Sequence, residues 1–269
     1  MNTIELYDKV CQRASENTTL SYSTSFSLGI RSLHKRFRGP IHAIYGFVRF
    51  ADEIVDTFHS HDKAMLLQRF RNDTYLAISE GISLNPILHS FQSIVSRYHI
   101  EQELYATFLD SMAMDLTDKA HDQRSYETYI LGSAEVVGLM CLRVFCEGND
   151  ALYQRLKPSA MKLGAAFQKV NFLRDLKDDH NNLGRTYFPE VDVSRLDRAA
   201  KHRIEADIQK DFDDALVGIR ELPQGARFGV YMAYAYYVAL FNKIKALPTE
   251  RILTERVRLR NRRKLALLT

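Results

Sequence analysis

The segment LGAAFQKVNFLRDLKDDHNNLGRTYFP, Leu163 to Pro189, sets polar residues at a helical interval inside an apolar run. Asn171, Asp175 and Asp179 follow one another at i+4, so on a helix they form one polar ridge about 12 Å long. Gln168 stands a turn earlier, and Phe167, Val170 and Phe172 fill the flanks. Like charges at this spacing repel unless something positive lies between or opposite them.

A second stretch, YGFVRFADEIVDTF (Tyr45–Phe58), repeats the pattern. Asp52 and Asp56 share a helix face, roughly 6 Å apart along the axis. Ile44, Phe47, Val48, Phe50, Ala51, Ile54 and Val55 leave little room there for a solvated stripe. A lone pair of this kind is weak, because helix surfaces carry such pairs by chance. Two ridges facing each other across a cavity would present carboxylates and an amide, an oxygen-only set that suits Mg²⁺. No His/Cys set accompanies them, which argues against zinc. Carboxylates alone would repel a diphosphate, so metal ions must bridge the two and positive side chains complete the clamp. Arg49 lies a turn before Asp52, and Arg174 and Arg185 flank the second ridge. The ordinary role of such arginines is a helix salt bridge of little worth. Glu53 is expected to point away from the shared face.

The surroundings predict an all-α protein. The chain has 269 residues, with only 12 Gly and 6 Pro; helical spacing dominates and strand alternation is nearly absent. No repeat or linker divides it, so residues 1–269 are expected to form a single domain of eight to ten helices. Residues 2–17 read as a short helix followed by a polar, irregular stretch, SENTTLSYSTSFS. A long helix is expected after Gly39, with Pro40 near its first turn. No run approaches the ~18 apolar residues that span a bilayer; the longest candidate, Gly229–Phe241, is short and rich in Tyr. The three cysteines lack metal or disulfide spacing and read as buried thiols. The N-terminus has no apolar signal core. A net charge of +4 is too mild to argue for nucleic acid. The basic stretch RILTERVRLRNRRKLALL reads first as a solvated helix and tail, and second as a surface for anions or an anionic membrane.

These residues resemble the squalene/phytoene synthase family, the head-to-head prenyl transferases of the isoprenoid synthase fold, in which helices surround a central cavity. The likeness runs from YSTSF to TERVRL, and its most specific part is Leu163–Pro189. YGFVRFADEIVD is similar to the family's first aspartate motif, and YILGSAEVVGLM (Tyr129–Met140) to a third segment. In that third segment Ile130 and Glu135 stand where small residues are usual, which puts pocket shape in question. The resemblance implies that Asp52, Asp56, Asn171, Asp175 and Asp179 hold Mg²⁺, with Mn²⁺ as the alternative. It implies diphosphate contacts for Tyr45, Arg49, Arg185 and Arg256, and places for Tyr129, Gln168 and Tyr237 at the reaction chamber. Ser23 and Ser25 match hydroxyl residues of a flexible segment that covers one diphosphate; Asp115 also matches a family position.

The implied reaction joins two allylic diphosphates through a cyclopropyl diphosphate to a linear hydrocarbon. The wording sits closest to bacterial phytoene synthases of carotenoid pathways, with geranylgeranyl diphosphate as substrate. The alternative is a squalene or dehydrosqualene synthase acting on farnesyl diphosphate. No nicotinamide motif is present, so NADPH is not expected. A non-catalytic helical assembly factor is the reading from another class, disfavoured because the matched carboxylates are intact. Head-to-tail transferases and terpene cyclases space their acidic motifs differently. The expected location is cytoplasmic, with peripheral association at the inner face of the membrane, since the product is insoluble in water.

Overall fold

The structure, a computed structural model, describes residues 3–117, 121–178, 187–189, 197–254 and 256–257. Among these residues it is all-α: helices α1 (Thr3–Tyr22), α2 (Thr24–Arg31), α3 (Lys35–Asp56), α4 (Lys63–Glu80), α5 (Pro86–Tyr98) and α6 (Gln102–Thr117) come first. Then α7 (Gln123–Ile130), a π-turn (Leu131–Glu135) and α8 (Val136–Cys146) form one continuous rod. The remaining helices are α9 (Asp150–Asp178), α10 (Arg198–Glu221), α11 (Gln224–Lys245) and the short α12 (Thr249–Thr254).

Two of these helices were not expected as such. The polar stretch after residue 17 is helical because its hydroxyls bond to carbonyls within the helices. Thr19 donates to Ser15 O at 3.0 Å, and Ser27 donates to Ser23 O. Thr19 and Ser27 can therefore be buried, the former where α1 packs on α3 and α5. The chain turns at Ser23, whose extended backbone and side chain cap α2 by accepting from Phe26 N at 3.1 Å. Pro40 lies inside α3, which begins at Lys35 rather than at the Gly-Pro pair. The count of eight to ten is exceeded by α2, α12 and the π-turn that splits one rod in two.

Local chemistry fixes the ends. Asp62 caps α4 through Met65 N, and Gly81 closes it at φ 70°; Asn85 and Pro86 start α5. The α3 stripe of Phe37, Ile44, Phe47, Ala51 and Val55 is fully buried, and the Phe47 ring stacks on Phe91 at 3.9 Å. Lys201, itself buried, donates to the carbonyls of Lys245 and Leu247 at 3.0 and 2.9 Å, closing the end of α11.

The rod Gln123–Cys146 corrects the expectation that no helix could span a bilayer, and Gly229–Phe241 is not the strongest candidate. By length and composition this rod could cross one, yet more than half of its most apolar window is buried. It packs against α6 and α9 as a core helix. Close approach there depends on glycine: a Cβ on Gly164 of α9 would lie 2.6 Å from the carbonyl oxygen of Ala134 in the π-turn.

Candidate active site

Facing sides of α3 and α9 line one cavity of about 310 Å³, with further walls from α2, α8, α10, α11 and the π-turn. On α3, Ile41, Ile44, Tyr45 and Val48 face it, and the same interval carried onward arrives at Asp52. On α9, Leu163, Phe167 and Asn171 face it, and the next step is Asp175. Both acidic ridges thus stand at one mouth, at the C-terminal ends of their helices, where the helix dipole favours cations. The cavity reaches Leu156 of α9, fifteen residues from Asn171, a depth of about 22 Å at the helical rise. Its wall is largely apolar, with the serines Ser133 and Ser159 on it.

At the α3 side, Arg49 donates from Nη1 to Asp52 at 2.5 Å and from Nη2 to Glu53. Burial and the charge of Asp56 push the Asp52 carboxyl up to about 7, with Asp115 adding to the rise and Arg49 opposing it. Glu53 also accepts from Thr57 Oγ1 at 2.9 Å and from the Tyr22 hydroxyl at 3.1 Å. The Tyr22 ring lies beneath the Arg49 guanidinium, 4.4 Å from its centre. Glu53 therefore belongs to the site, as the residue that grips Arg49. Helical spacing alone misses this, because an i+4 arginine–glutamate pair looks like any surface pair.

At the α9 side, Asp175 is held by Arg174 Nε at 3.0 Å and by Arg256 Nε at 2.7 Å. Asn171 accepts from the Tyr237 hydroxyl at 3.2 Å, and Gln168 is its neighbour on the cavity wall. The Tyr237 ring stacks on Phe167 at 3.9 Å, and Phe26 approaches Tyr45, Phe167 and Tyr237 with centroids 5.8 to 6.4 Å away. These four rings form an aromatic collar between the charged mouth and the apolar interior. Phe26 and Phe167 went unassigned in the sequence, where nothing separates them from ordinary core; Phe167, one turn before Asn171 on the same face, was the available signal.

Tyr129 is buried and absent from the cavity wall; its hydroxyl donates to Asp115 at 2.8 Å, as does that of Tyr187 at 3.3 Å. Burial, with Asp115 beside it, holds the Tyr129 phenol well above its ordinary range, and burial pushes Tyr237 up to about 12. Both are neutral donors at physiological pH. Ser23 is the α2 cap already described, and Ser25 lies in the first turn of that helix. Asp179 and Arg185 lie outside the described residues. Glu135 does not line the cavity; burial raises its carboxyl, with the charge of Lys162 opposing. The thiol of Cys141 lines the cavity, while Cys11 and Cys146 are buried.

Among the described residues no three His, Cys, Asp or Glu side chains converge as a metal site. The donor chemistry still fits a hard divalent cation. Asp52 is crowded by Asp56 and Asp115 near the negative ends of helices, a surplus that an oxygen-liganded cation offsets.

Residues 20–263 match the squalene/phytoene synthase family. The chain belongs to this family of head-to-head isoprenoid synthases, prenyl transferases that act on isoprenyl diphosphates. It is 29% identical over 240 residues to the presqualene diphosphate synthase of Zymomonas mobilis, covering 87% of this chain and 76% of that protein. It is 26% identical over 264 residues to the chloroplastic phytoene synthase 1 of Solanum lycopersicum, covering 90% of this chain and 62% of that protein. The fold is that of a dehydrosqualene synthase solved with a ligand: TM-score 0.82, 19% identity, 99% of this chain and 96% of the other covered.

Proposed function

We propose that the protein condenses two molecules of geranylgeranyl diphosphate head to head into phytoene, through a cyclopropyl diphosphate. The observation that carries this reading is the deep apolar cavity closed at its rim by an aromatic collar and two arginine–carboxylate clusters. Mg²⁺, when bound, neutralises the diphosphate and makes it a leaving group. Asp52, Asp56, Asn171 and Asp175 are the described side chains that would hold it, with Asp179 beyond them. Arg49 and Arg256, released from their carboxylates, bind diphosphate oxygens. Tyr45, Tyr129 and Tyr237, kept neutral, donate hydrogen bonds without adding charge. The faces of Phe26, Phe167 and Tyr237 tolerate an allylic cation, and the apolar wall keeps out the water that would quench it.

Cavity depth supports the longer substrate, since about 22 Å along α9 accommodates an extended twenty-carbon chain. The likeness to the Zymomonas protein favours a second reading, in which farnesyl diphosphate gives a cyclopropyl diphosphate or squalene-type product. Incubation of purified protein with Mg²⁺ and either diphosphate, with and without NADPH, separates them. Phytoene from geranylgeranyl diphosphate without NADPH is the expected result. Product from farnesyl diphosphate alone overturns the chain length, and no product from either overturns the function. The location that goes with this reading is cytoplasmic, with the protein resting on the inner face of the membrane that receives the product.

A further inference from the structure

The geometry points to Glu53 and Tyr22 as positioning residues that keep Arg49 at the diphosphate once Asp52 turns to a cation. The inference rests on the function proposed above. Arg49 uses separate nitrogens for its two acids, Nη1 for Asp52 and Nη2 for Glu53. The two acids are not equivalent. Asp52 lies on the ridge that continues the cavity-lining positions of α3, and Asp56 and Asp115 crowd it. Glu53 has both oxygens engaged by protein donors: Oε1 by Arg49 and Thr57, Oε2 by the Tyr22 hydroxyl. A carboxylate so saturated is a poor metal ligand and a good anchor.

When a cation draws Asp52 away, Arg49 keeps Glu53 on one side and the Tyr22 ring across its face, 4.4 Å from the ring centre. Its Nη1, given up by Asp52, is then the donor for an incoming phosphate oxygen. A guanidinium held on two sides loses little freedom on binding, which is the advantage of a pre-organised fork.

The test is calorimetric binding of inorganic diphosphate in saturating Mg²⁺, alongside KM and kcat for the prenyl diphosphate. Glu53→Gln keeps the shape and removes the charge; it should weaken diphosphate binding about tenfold, the scale of one charge-assisted hydrogen bond, and raise KM more than it lowers kcat. Tyr22→Phe keeps the ring and should weaken binding about threefold, at the low end for a neutral hydrogen bond. In an Arg49→Gln background, Glu53→Gln should cost nothing further, because Glu53 acts through Arg49. Wild-type binding by Glu53→Gln, or additive losses in the double variant, overturns the inference. If the unaltered protein neither binds diphosphate with Mg²⁺ nor turns over either prenyl diphosphate, the proposed function fails first and takes the inference with it.

Discussion

Two groups of partly buried charge flank α9. On one side, Lys162 and Lys169, seven residues apart and so on one face, meet α10: Lys169 reaches Asp207 at 2.5 Å and Asp211 at 2.6 Å, and Lys162 reaches Asp211 at 2.9 Å. About 200° round the helix, Gln168, Asn171 and Asp175 face the mouth. Both groups use carboxylates and cations. They differ in saturation. Asp211 is 1% exposed with an ammonium on each oxygen, so the inner group is closed. At the mouth, Asp52 has one arginine against the fields of Asp56 and Asp115, and burial pushes its carboxyl to about 7. The inner charges hold helices together; at the mouth Asp175 is paired with Arg174 and Arg256, while Asp52 shares its one arginine with Glu53.

That contrast predicts opposite mutational signatures. Asp52→Asn or Asp175→Asn should cut turnover about a thousandfold, or ~4 kcal/mol of barrier, without an earlier thermal melt. Near-normal turnover in either variant breaks the assignment. Asp211→Asn should do the reverse. It leaves the buried Lys169 with Asp207 alone and the half-exposed Lys162 without its acid, a change of about 2 kcal/mol in urea unfolding, while kcat per folded molecule stays within about twofold. A large kcat loss without destabilisation would show that the inner group takes part in chemistry.

The π-turn joins the two regions, since Ser133 and Ala134 line the cavity while Glu135 feels the inner lysines. Gly164→Ala would place a Cβ 2.6 Å from the Ala134 carbonyl oxygen, a backbone atom that cannot move aside cheaply. The expected cost is about 2 kcal/mol, read by denaturant unfolding together with a fall in turnover. If stability falls and turnover does not, the π-turn shapes the fold but not the chamber.

The helical class and the two acidic ridges were legible because period and i+4 spacing are local properties of the chain. Gln168 and Tyr237 lie on the cavity wall, and Asp52 and Asp175 on the helix faces that continue it. What escaped was decided by partners distant in sequence. Glu53 looked like a discarded neighbour until Tyr22, 31 residues earlier, was found donating to it. Glu135 stands outside the cavity wall that its neighbours Ser133 and Ala134 line, within the field of lysines 27 and 34 residues later, Lys162 and Lys169. The SENTTLSYSTSFS stretch looked irregular because its hydroxyls find their carbonyls only once the helix exists. Phe26 and Phe167 became a collar only when α2 and α9 were brought together.

The smallest expected effect is a titration at the mouth. The Asp52 carboxyl, raised to about 7 by burial and Asp56, must lose its proton before it can hold a cation. Apparent Mg²⁺ affinity in the presence of diphosphate should therefore fall as pH drops below 7, by up to tenfold per unit. Asp56→Asn removes a raising charge and should move this limb to lower pH; Arg49→Gln removes a lowering one and should move it higher. The same shift has a stability consequence with a definite sign. Between the ordinary carboxylate range and 7 the folded state binds this proton and the unfolded state does not, so the contribution of Asp52 to stability is lost as pH rises through 7. Metal-free Asp52→Asn protein should then melt above the unaltered protein at pH 8, with the gap narrowing as pH falls and closing near pH 4, in the ordinary carboxylate range. A variant that melted below the unaltered protein at pH 8 instead would mean that Asp52 is held charged by its partners, and the contrast between the two groups would collapse.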